Sequence, residues 1–487
     1  MTTEKITIRE KIGFSLGDAA ANFIFQTLML LQFNFYTKGF GITAAAAGLL
    51  FLIGRLWGAV ADPIMGVIAD RTNTRWGKFR PWILWTAVPF GVIGYFSFVT
   101  PDFGGVAKMI YAYSTYLLLM SVYSANNIPY SALSGVITGD QKQRAGLFSV
   151  RFVFVVLATI AIAGFARPMV DIFGKGNDAK GYQITMGIFC ILSSLFFIFT
   201  FLTTKERVKP DPKQESSLKE DVTSLLRNGP WVLMFFVFMM MFIFLAIRNQ
   251  TLISFFEDYM DKERLVSWVQ GINKGTFGIL EFMRLAGKNV GVDSSAYGIT
   301  NIIGQLSIIP GIIISGKLAI KFGKRNIFAI GLAFAVLFSA LFMAAPAEGI
   351  NLVLILTILY NFAWGITMML PWATMADVAD YSEWKLNKRT TAIVFAGIAI
   401  GFKVGLALGG FIGGLLLSEY GYIERTAQNI AVVQSPHTVF GIRLTTSIYP
   451  SIALLCVVIL LLFYKINLKT EIQMQDDLAT RRKVYES

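Results

Sequence analysis

An acidic residue, Asp62, stands inside a run of apolar residues that extends from position 44 to about position 69. An ionised carboxylate at that depth of a bilayer is costly, so such residues usually face a cavity and carry a function. A positively charged loop follows the run and contains Asp70, Arg71, Arg75 and Arg80. A buried acid followed by a cationic loop between two apolar spans is the arrangement expected of a cation-coupled transporter.

Other polar side chains also fall within or at the ends of apolar stretches, where an unused charge would be expensive. We interpret the deepest of them, Asp18, Asp62 and Lys403, as functional. A desolvated carboxylate can take up a proton near neutral pH. Carboxylates and amides can also hold the hydroxyl groups of a sugar. The full set comprises Asp18, Asn126, Asn127, Arg151, Arg248, Asp377, Asp380, Glu383 and Lys403.

Structural interpretations compete with these functional ones. Asp18 or Asp62 could pair with Lys403 as a buried ion pair, and Arg151 could extend its side chain to the membrane interface. Three acids near the cytoplasmic end of the tenth predicted span are better explained as a structural gate than as a binding site. These acids, Asp377, Asp380 and Glu383, could be solvated or could bridge to Arg75, Arg80 or Arg389.

Composition places the chain in a membrane. Its 487 residues are 55% hydrophobic and only 15% charged, with a mean hydropathy of +0.60, whereas soluble domains average about 25% charged residues. The net charge of +13 lies in short loops between apolar spans. It therefore indicates orientation in a lipid bilayer and not a nucleic-acid partner. Cys190 and Cys456 both lie in apolar runs, so neither a disulfide nor a metal site is predicted.

The apolar stretches predict twelve membrane helices, since a helix needs roughly 20 apolar residues to cross the hydrocarbon core. Lysines and arginines concentrate in alternate loops, which predicts that both termini are cytoplasmic. The first span is predicted to be a retained helix and not a cleaved leader. The predicted spans are 12–37, 43–69, 81–100, 105–137, 148–170, 183–203, 231–255, 296–320, 326–346, 349–376, 390–418 and 446–466.

The spans divide into two six-helix halves, which is a plan that transporters with a midplane site use. An outer insert at 257–295 has partial helical apolar spacing; it could be a lid, but a passive amphipathic cap is favoured. A short helix is predicted near 218–226 in the cytoplasmic linker. The predicted segments are an N-terminal half 1–203, the linker 204–230, a C-terminal half 231–466 and a cytoplasmic tail 467–487.

Two motifs give a more specific signal. The second span contains Arg55, Trp57 and Asp62-Pro63-Ile64-Met65-Gly66, and the next loop reads Arg75-Trp76-Gly77-Lys78-Phe79-Arg80-Pro81-Trp82. Together they resemble the glycoside–pentoside–hexuronide:cation symporters of the major facilitator superfamily. Further matches are Asn127-Ile128-Pro129-Tyr130, Arg151-Phe152 and Phe402-Lys403. The resemblance implies an all-α integral membrane protein with the major facilitator fold.

The resemblance also implies roles for individual residues. Asp18 matches an acid of helix one that binds the sugar, and Asp62 matches one of two helix-two acids that bind the cation. Ser124 stands where the family can offer a hydroxyl to the cation, and Arg151 and Lys403 match basic residues near both sites. Asn126, Asn127 and Arg248 complete the predicted substrate site. The predicted gate comprises Asp70, Arg71, Arg75, Arg80, Asp377 and Asp380.

Departures from the family pattern bear on the ion and the substrate. The other helix-two acid falls at Gly58 and an amide ligand falls at Ala61. Sodium prefers about six hard oxygen ligands, as hard cations generally do, whereas a proton needs one carboxylate. We therefore predict H+, with Na+ at Asp62 as the alternative. In the family's best-known member a second sugar-binding acid stands where this chain has Asn127, and Arg248 could serve an anionic sugar such as a uronide.

The sequence thus predicts a sugar:cation symporter of a bacterial inner membrane that works by alternating access. Its predicted partners are a glycoside, pentoside or hexuronide, a monovalent cation and the lipid bilayer; no cofactor is expected, and the chain is predicted to be monomeric. An enzyme is disfavoured because the lone histidine, His437, lies in an outer loop and no nucleophile–base pair is present. A Na+-coupled symporter, a lipid or drug carrier and a transporter-like sensor stay open as alternatives.

Overall fold

The computed structural model describes residues 5–42, 44–175, 177–208, 218–275, 291–386, 391–423 and 433–486, and within these ranges it contains helices and no β-strand. The first half of the chain contributes α1 (Ile8–Asn34), α2 (Ala44–Arg71), α3 (Arg80–Phe96), α4 (Gly105–Leu133), α5 (Gln141–Gly174), α6 (Asp178–Thr203) and the short α7 (Leu218–Arg227). A π-helical turn, Phe35–Gly39, follows α1. The all-α prediction is confirmed, and α7 lies where the linker helix was expected.

The second half of the chain is also helical. Its elements are α8 (Gly229–Ser254), α9 (Lys262–Gly275), α10 (Val292–Phe322), α11 (Lys324–Leu341), α12 (Ile350–Met368), α13 (Leu370–Leu386), α14 (Thr391–Glu419), α15 (Pro436–Thr446), α16 (Ile448–Leu462) and α17 (Leu468–Glu486). A π-helical turn, Phe255–Tyr259, follows α8, and a 3-10 turn, Phe342–Ala344, follows α11. Nine helical stretches of the described ranges are long and apolar enough to cross a membrane. Twelve crossings and the orientation of the termini stay predictions.

The helix bounds differ from the predicted spans where polar residues enter a helix. α5 begins at Gln141 and not at 148, because the Asp140 carboxylate caps it by accepting from the backbone N–H groups of Lys142 and Gln143. The first turns of α5 are polar, and hydropathy therefore reads them as loop. The tenth predicted span is two helices, α12 and α13. The last predicted span, 446–466, corresponds to α16, and α15 precedes it and ends at Thr446.

The chain forms two compact units that do not follow the predicted halves. The first comprises Met1–Val232, Trp372–Ile400 and Ile466–Ser487, and the second comprises Leu233–Pro371 and Gly401–Lys465. Within the first unit, α1 packs against α5 and α6, and α3 packs against α4 and α6. The same unit contains α13, the first turns of α14 and the tail helix α17. Asp477 of α17 accepts a hydrogen bond from the Trp384 indole N–H of α13 at 2.8 Å.

A strap of five residues, 204–208, joins the helix ends of the first unit. The Glu206 carboxylate accepts three backbone N–H bonds, from Lys78, Phe79 and Arg80, at 2.8–2.9 Å. Arg207 makes a bidentate ion pair with the buried Glu10 of α1, at 2.7 and 2.9 Å. The Glu206 carboxylate thereby satisfies free N–H groups at the start of α3, where the helix dipole also favours a negative charge.

Close helix contact organises the second unit. The α10 and α12 helices cross at Gly311 and Gly365, where a Cβ on either residue would overlap a backbone carbonyl of the other helix. Small residues allow this approach, which gives membrane helices much of their packing energy. An apolar cluster at one end of the unit includes Phe255, Phe342 and Ile350. Leu265 and Val269 of α9 are buried in it, so α9 is packed onto the second unit by its apolar side. The choice between a passive cap and a lid stays a prediction.

Candidate functional site

A buried ion pair joins Asp18 of α1 to Arg151 of α5. The Arg151 Nε–H donates to Asp18 Oδ2 at 2.6 Å, and both side chains are less than a tenth exposed. Arg151 is therefore paired inside the helix bundle and does not extend to the interface. Asn22, one turn along α1, donates to the Asp18 backbone carbonyl at 2.9 Å, which fixes its amide beside the carboxylate.

Aromatic rings surround the Arg151 guanidinium. Its central carbon lies 5.1 Å from the ring centroid of Tyr130 and 5.5 Å from that of Trp372. Tyr130 also donates its hydroxyl to the Phe14 backbone carbonyl at 2.6 Å, which holds its ring in place. Arg151 Nη1 has no hydrogen-bond partner among the described residues, although it is buried. A buried donor of this kind beside a carboxylate is suited to binding a hydroxyl group.

A second buried carboxylate, Asp62 of α2, lies in the same unit. Ser124 of α4 donates its hydroxyl to Asp62 Oδ1 at 2.6 Å, and both residues are at most 3% exposed. Tyr123, the neighbour of Ser124, stacks on Phe25 of α1 with the two ring centroids 5.5 Å apart. The predicted sugar acid on α1 and the predicted cation acid on α2 therefore lie on helices of the same unit.

The two asparagines of α4 have different surroundings. Asn126 is buried, and its amide nitrogen donates to the Thr86 hydroxyl of α3 at 2.7 Å. That contact holds α3 and α4 together, and it occupies one of the donors that a substrate would use. Asn127, one residue on, is half-buried. Its role in substrate binding stays a prediction.

Lys403 lies on α14, in the second unit. A row of glycines on α14 defines the side of that helix that contacts α8, and the position of Lys403 can be described relative to it. Gly401, Gly405 and Gly409 recur every four residues and bring α14 against the backbone of α8 at Phe235, Met239 and Ile243. Residue 403 is half a turn from this stripe, so Lys403 is on the side of α14 that faces away from α8. It is half-buried there.

Arg248 of α8 is held inside the second unit. Its Nη1 donates to the Ser339 hydroxyl at 3.1 Å and to the Thr446 backbone carbonyl at 2.9 Å. Its guanidinium also lies 4.3 Å from the ring centroid of Phe342 and 4.5 Å from that of Tyr360. These contacts give Arg248 a structural role in joining α8 to four other helical segments, and its use by an anionic sugar stays a prediction.

Asp377 and Asp380 of α13 are buried against an arginine that we did not single out. Arg144 Nη1 lies 3.1 Å from Asp377 Oδ1 and 2.9 Å from Asp380 Oδ2, and its side chain is fully buried. The proposed partners Arg75 and Arg80 have other contacts. Arg75 lies over the Trp76 ring and Arg80 donates to the Phe201 carbonyl at 2.7 Å. The idea that the two acids are solvated is wrong, and Arg389 lies outside the described residues.

Asp70 caps the start of α14. Its two carboxylate oxygens accept from the backbone N–H groups of Ala392 and Ile393, at 3.1 and 3.0 Å. One turn before Asp70, Gly66 lets α2 approach the same helix, because a Cβ there would lie 2.9 Å from the Ala396 methyl group. Arg71 is exposed at the end of α2. The carboxylate and the helix dipole of α14 attract each other, which closes this side of the first unit.

Four residues of this site were missed by the sequence analysis. Trp372 and Tyr123 are aromatic residues in apolar runs, where nothing distinguishes them from ordinary core. Arg144 and Glu206 lie in segments that hydropathy assigns to loops, among other charges. Only Glu206 had an available signal, because it is the first acidic residue after the end of the sixth predicted span.

Comparison with known proteins places this geometry in context. A family model described as "MFS/sugar transport protein" matches residues 13–291 and 285–468. YagG of Escherichia coli (strain K12), by its name a candidate glycoside/cation symporter, is 34% identical over 95% of this chain and 93% of its own length. The isoprimeverose transporter of Lactiplantibacillus pentosus is 30% identical over 97% of this chain and 91% of its own length.

Solved structures of transporters have the same fold as this chain. The E. coli fucose:proton symporter FucP superposes with a TM-score of 0.64 at 11% identity, and the match covers 94% of this chain and 98% of that one. At such low identity the likeness shows the helical architecture alone. The relatives are transporters, which agrees with the expectation that the chain is not an enzyme.

Proposed function

The chain belongs to the MFS/sugar transport protein family and is a multi-pass membrane protein of the glycoside–pentoside–hexuronide type; from that premise we propose that it couples the uptake of a sugar or glycoside to a proton. We place it in the inner membrane of a bacterium, in line with its relatives. The observation that carries the proposal is the pair of buried carboxylates, Asp18 and Asp62, within the first unit. One is held by Arg151, and the other is held by Ser124.

Sugar binding is assigned to the Asp18–Arg151 pair. A sugar hydroxyl both donates and accepts, so a carboxylate and a guanidinium can hold neighbouring hydroxyl groups. The Arg151 Nη1 donor has no acceptor among the described residues, and it lies beside the ring of Trp372. An aromatic ring can cover the apolar face of a sugar. This combination supports a sugar more than a lipophilic substrate, which would need a cavity without such charges.

Proton coupling is assigned to Asp62. Ser124 already donates to this carboxylate, and no further ligand stands nearby on α2, since Gly58 occupies the position one turn earlier and Ala61 the position directly before Asp62. When Asp62 takes up a proton, an expensive buried charge disappears, and the helices around it can rearrange at lower cost. If sugar and proton favour the same conformation, each raises the affinity for the other.

Alternating access then requires the cytoplasmic contacts of the first unit to break and re-form. Two contacts are suited to this role: the Arg144 cluster with Asp377 and Asp380, and the Asp70 cap on α14. Both join the predicted N-terminal half to segments of the predicted C-terminal half. Their release would open a path to the cytoplasm.

The test is external pH in de-energised, weakly buffered cells that express the chain. Glycosides, pentosides and uronides are added in turn, with and without sodium, to cells carrying the parent chain, Asp62→Asn or Asp102→Asn. Asp102 is an exposed acid outside the helices, so its neutralisation is a matched control. We expect one sugar to alkalinise the medium with the parent chain and with Asp102→Asn but not with Asp62→Asn.

Two other outcomes would change the proposal. Sodium-stimulated uptake of labelled sugar without a pH change would show a sodium symporter, in which the Ser124 hydroxyl is a second oxygen ligand beside Asp62. If no sugar changes the external pH and none is taken up, the result would favour a lipid or drug carrier or a sensor.

A further inference from the structure

A groove on the second unit has the chemistry of a carbohydrate site and shares no residue with the Asp18–Arg151 pair. It has a volume of about 260 Å³ and lies between α9 and the turn that begins α12. The lining residues are Arg264, Ser267 and Trp268 of α9, and Glu348, Ile350 and Asn351 of the turn. This segment belongs to the connection that the loop charges predict to be outside the cell.

The groove is built on a rigid base. Leu265 and Val269 anchor α9 in the apolar cluster, and Ile350, also buried there, forms part of the groove itself. Residues 264, 267 and 268 are spaced i, i+3 and i+4, so they share one face of α9 beside the anchored one. The polar face of the amphipathic cap is therefore held against the turn at 348–351.

Trp268 provides a fixed aromatic ring. Its indole N–H donates to Asn351 Oδ1 at 3.1 Å across the groove, and the ring is half-buried. A ring that is oriented by a hydrogen bond loses little further entropy when a ligand packs against it. The C–H groups on one face of a pyranose are the usual partner of such a ring.

Charged groups of both signs complete the lining. Arg264 and Glu348 are exposed in the groove, and no ion pair within 4 Å links them in the part of the chain that the structure describes. The guanidinium donates and the carboxylate accepts, as sugar hydroxyls require. Because the two charges are of opposite sign, the lining carries no net charge, and we expect a neutral ligand. The volume is below the roughly 300–1,000 Å³ of most ligand sites, which limits the occupant to about one ring.

We propose that this groove is an accessory binding site for a neutral sugar ring. The inference rests on the proposed function only in that the sugar is a transported one. A weak site of this kind would retain substrate near the surface from which it is taken up, and would lower the apparent KM without changing the turnover of the carrier.

The experiment uses the full chain in nanodiscs, labelled with 5-fluorotryptophan and observed by fluorine NMR. Trp268→Phe assigns the Trp268 resonance among the nine tryptophans. Methyl glycosides of glucose, galactose and xylose, and a methyl glucuronide, are titrated into the parent chain and into Asp18→Asn. We expect a saturable shift of the Trp268 resonance with a neutral glycoside, and the same shift in Asp18→Asn.

Uptake measurements on two further variants separate this proposal from the proposed function. Glu348→Gln and Arg264→Gln should raise the apparent KM about threefold to tenfold and leave kcat unchanged. If the chain transports a sugar but no glycoside changes the chemical shift of Trp268, the accessory site alone is overturned. A larger shift with the glucuronide than with any neutral glycoside overturns the assigned ligand class. No uptake and no shift with any sugar would overturn both proposals.

Discussion

Removal of the Arg144 side chain should loosen the contact between α5 and α13 by a predictable amount. Arg144 Nη1 lies 3.1 and 2.9 Å from the carboxylate oxygens of Asp377 and Asp380. At an effective dielectric constant of about 20, each charge pair is worth roughly 5–6 kcal/mol before desolvation is subtracted. Loss of one partner from a buried ion pair costs about 3–5 kcal/mol, because the remaining charge is left uncompensated.

This cost converts into an opening equilibrium. At about 1.4 kcal/mol per factor of ten, Arg144→Met should favour separation of α13 from α5 by roughly two to three and a half orders of magnitude. Amide hydrogen exchange measures such opening directly when the helix recloses faster than it exchanges. We expect exchange in α13 to accelerate by at least 100-fold, while α10 and α12 keep the protection of the parent chain.

Two further variants test the physical reason. Lys142→Met removes an exposed positive charge from the same helix turn and should leave exchange in α13 within about twofold of the parent. In the triple variant Arg144→Met, Asp377→Asn, Asp380→Asn, part of the protection should return, since the two buried carboxylates that faced Arg144 are neutralised together with it. Parent-like exchange in Arg144→Met would refute the role of this cluster. Equal exchange in the single and triple variants would refute the electrostatic explanation.

Three more outcomes follow from the contacts described. Glu206→Gln weakens the charge-assisted cap on α3 and should lower the free energy of unfolding by about 1–3 kcal/mol, seen as a lower Tm by scanning fluorimetry. Arg151→Lys keeps the charge but loses the planar group that holds Asp18, so calorimetry should show at least about tenfold weaker sugar binding. Gly311→Ala forces α10 away from α12 and should cost about 1–3 kcal/mol. Gly410→Ala, where no atom lies within 4 Å of the new Cβ, should be neutral or slightly stabilising. A Gly311→Ala variant as stable as Gly410→Ala would contradict the close crossing.

The sequence predicted helices well because a bilayer imposes a length and a composition on them. The bounds of α2 and α14 fall within two residues of the predicted spans. Prediction failed where a polar turn continues a membrane helix, as at the start of α5. Hydropathy describes only a local window of sequence. It therefore contains no information on the pairing of Arg144, in such a turn, with acids more than 230 residues away in the chain.

The site could be predicted only where a charged residue lies deep within an apolar membrane span. Asp18 and Asp62 stand out in apolar runs, but the only ion-pair partner considered for Asp18 was Lys403. In the structure the partner of Asp18 is Arg151. This pairing depends on how α1 packs against α5, which the periodicity of the sequence does not specify. Trp372 was beyond prediction because its position over Arg151 depends on how α13 packs against α5, and neither helix carries a pattern that specifies the contact.

The strap at 204–208 determines where this polypeptide can be cut. A chain divided after Thr203, at the end of the last N-terminal membrane helix, would leave Glu206 and Arg207 on the wrong fragment. The loop before α3 and the buried Glu10 would then lose their counter-charges. A division between 208 and 218 keeps both on the N-terminal fragment. Co-expressed fragments, inserted protease sites and fusion partners should therefore reassemble or be tolerated at the second position and fail at the first.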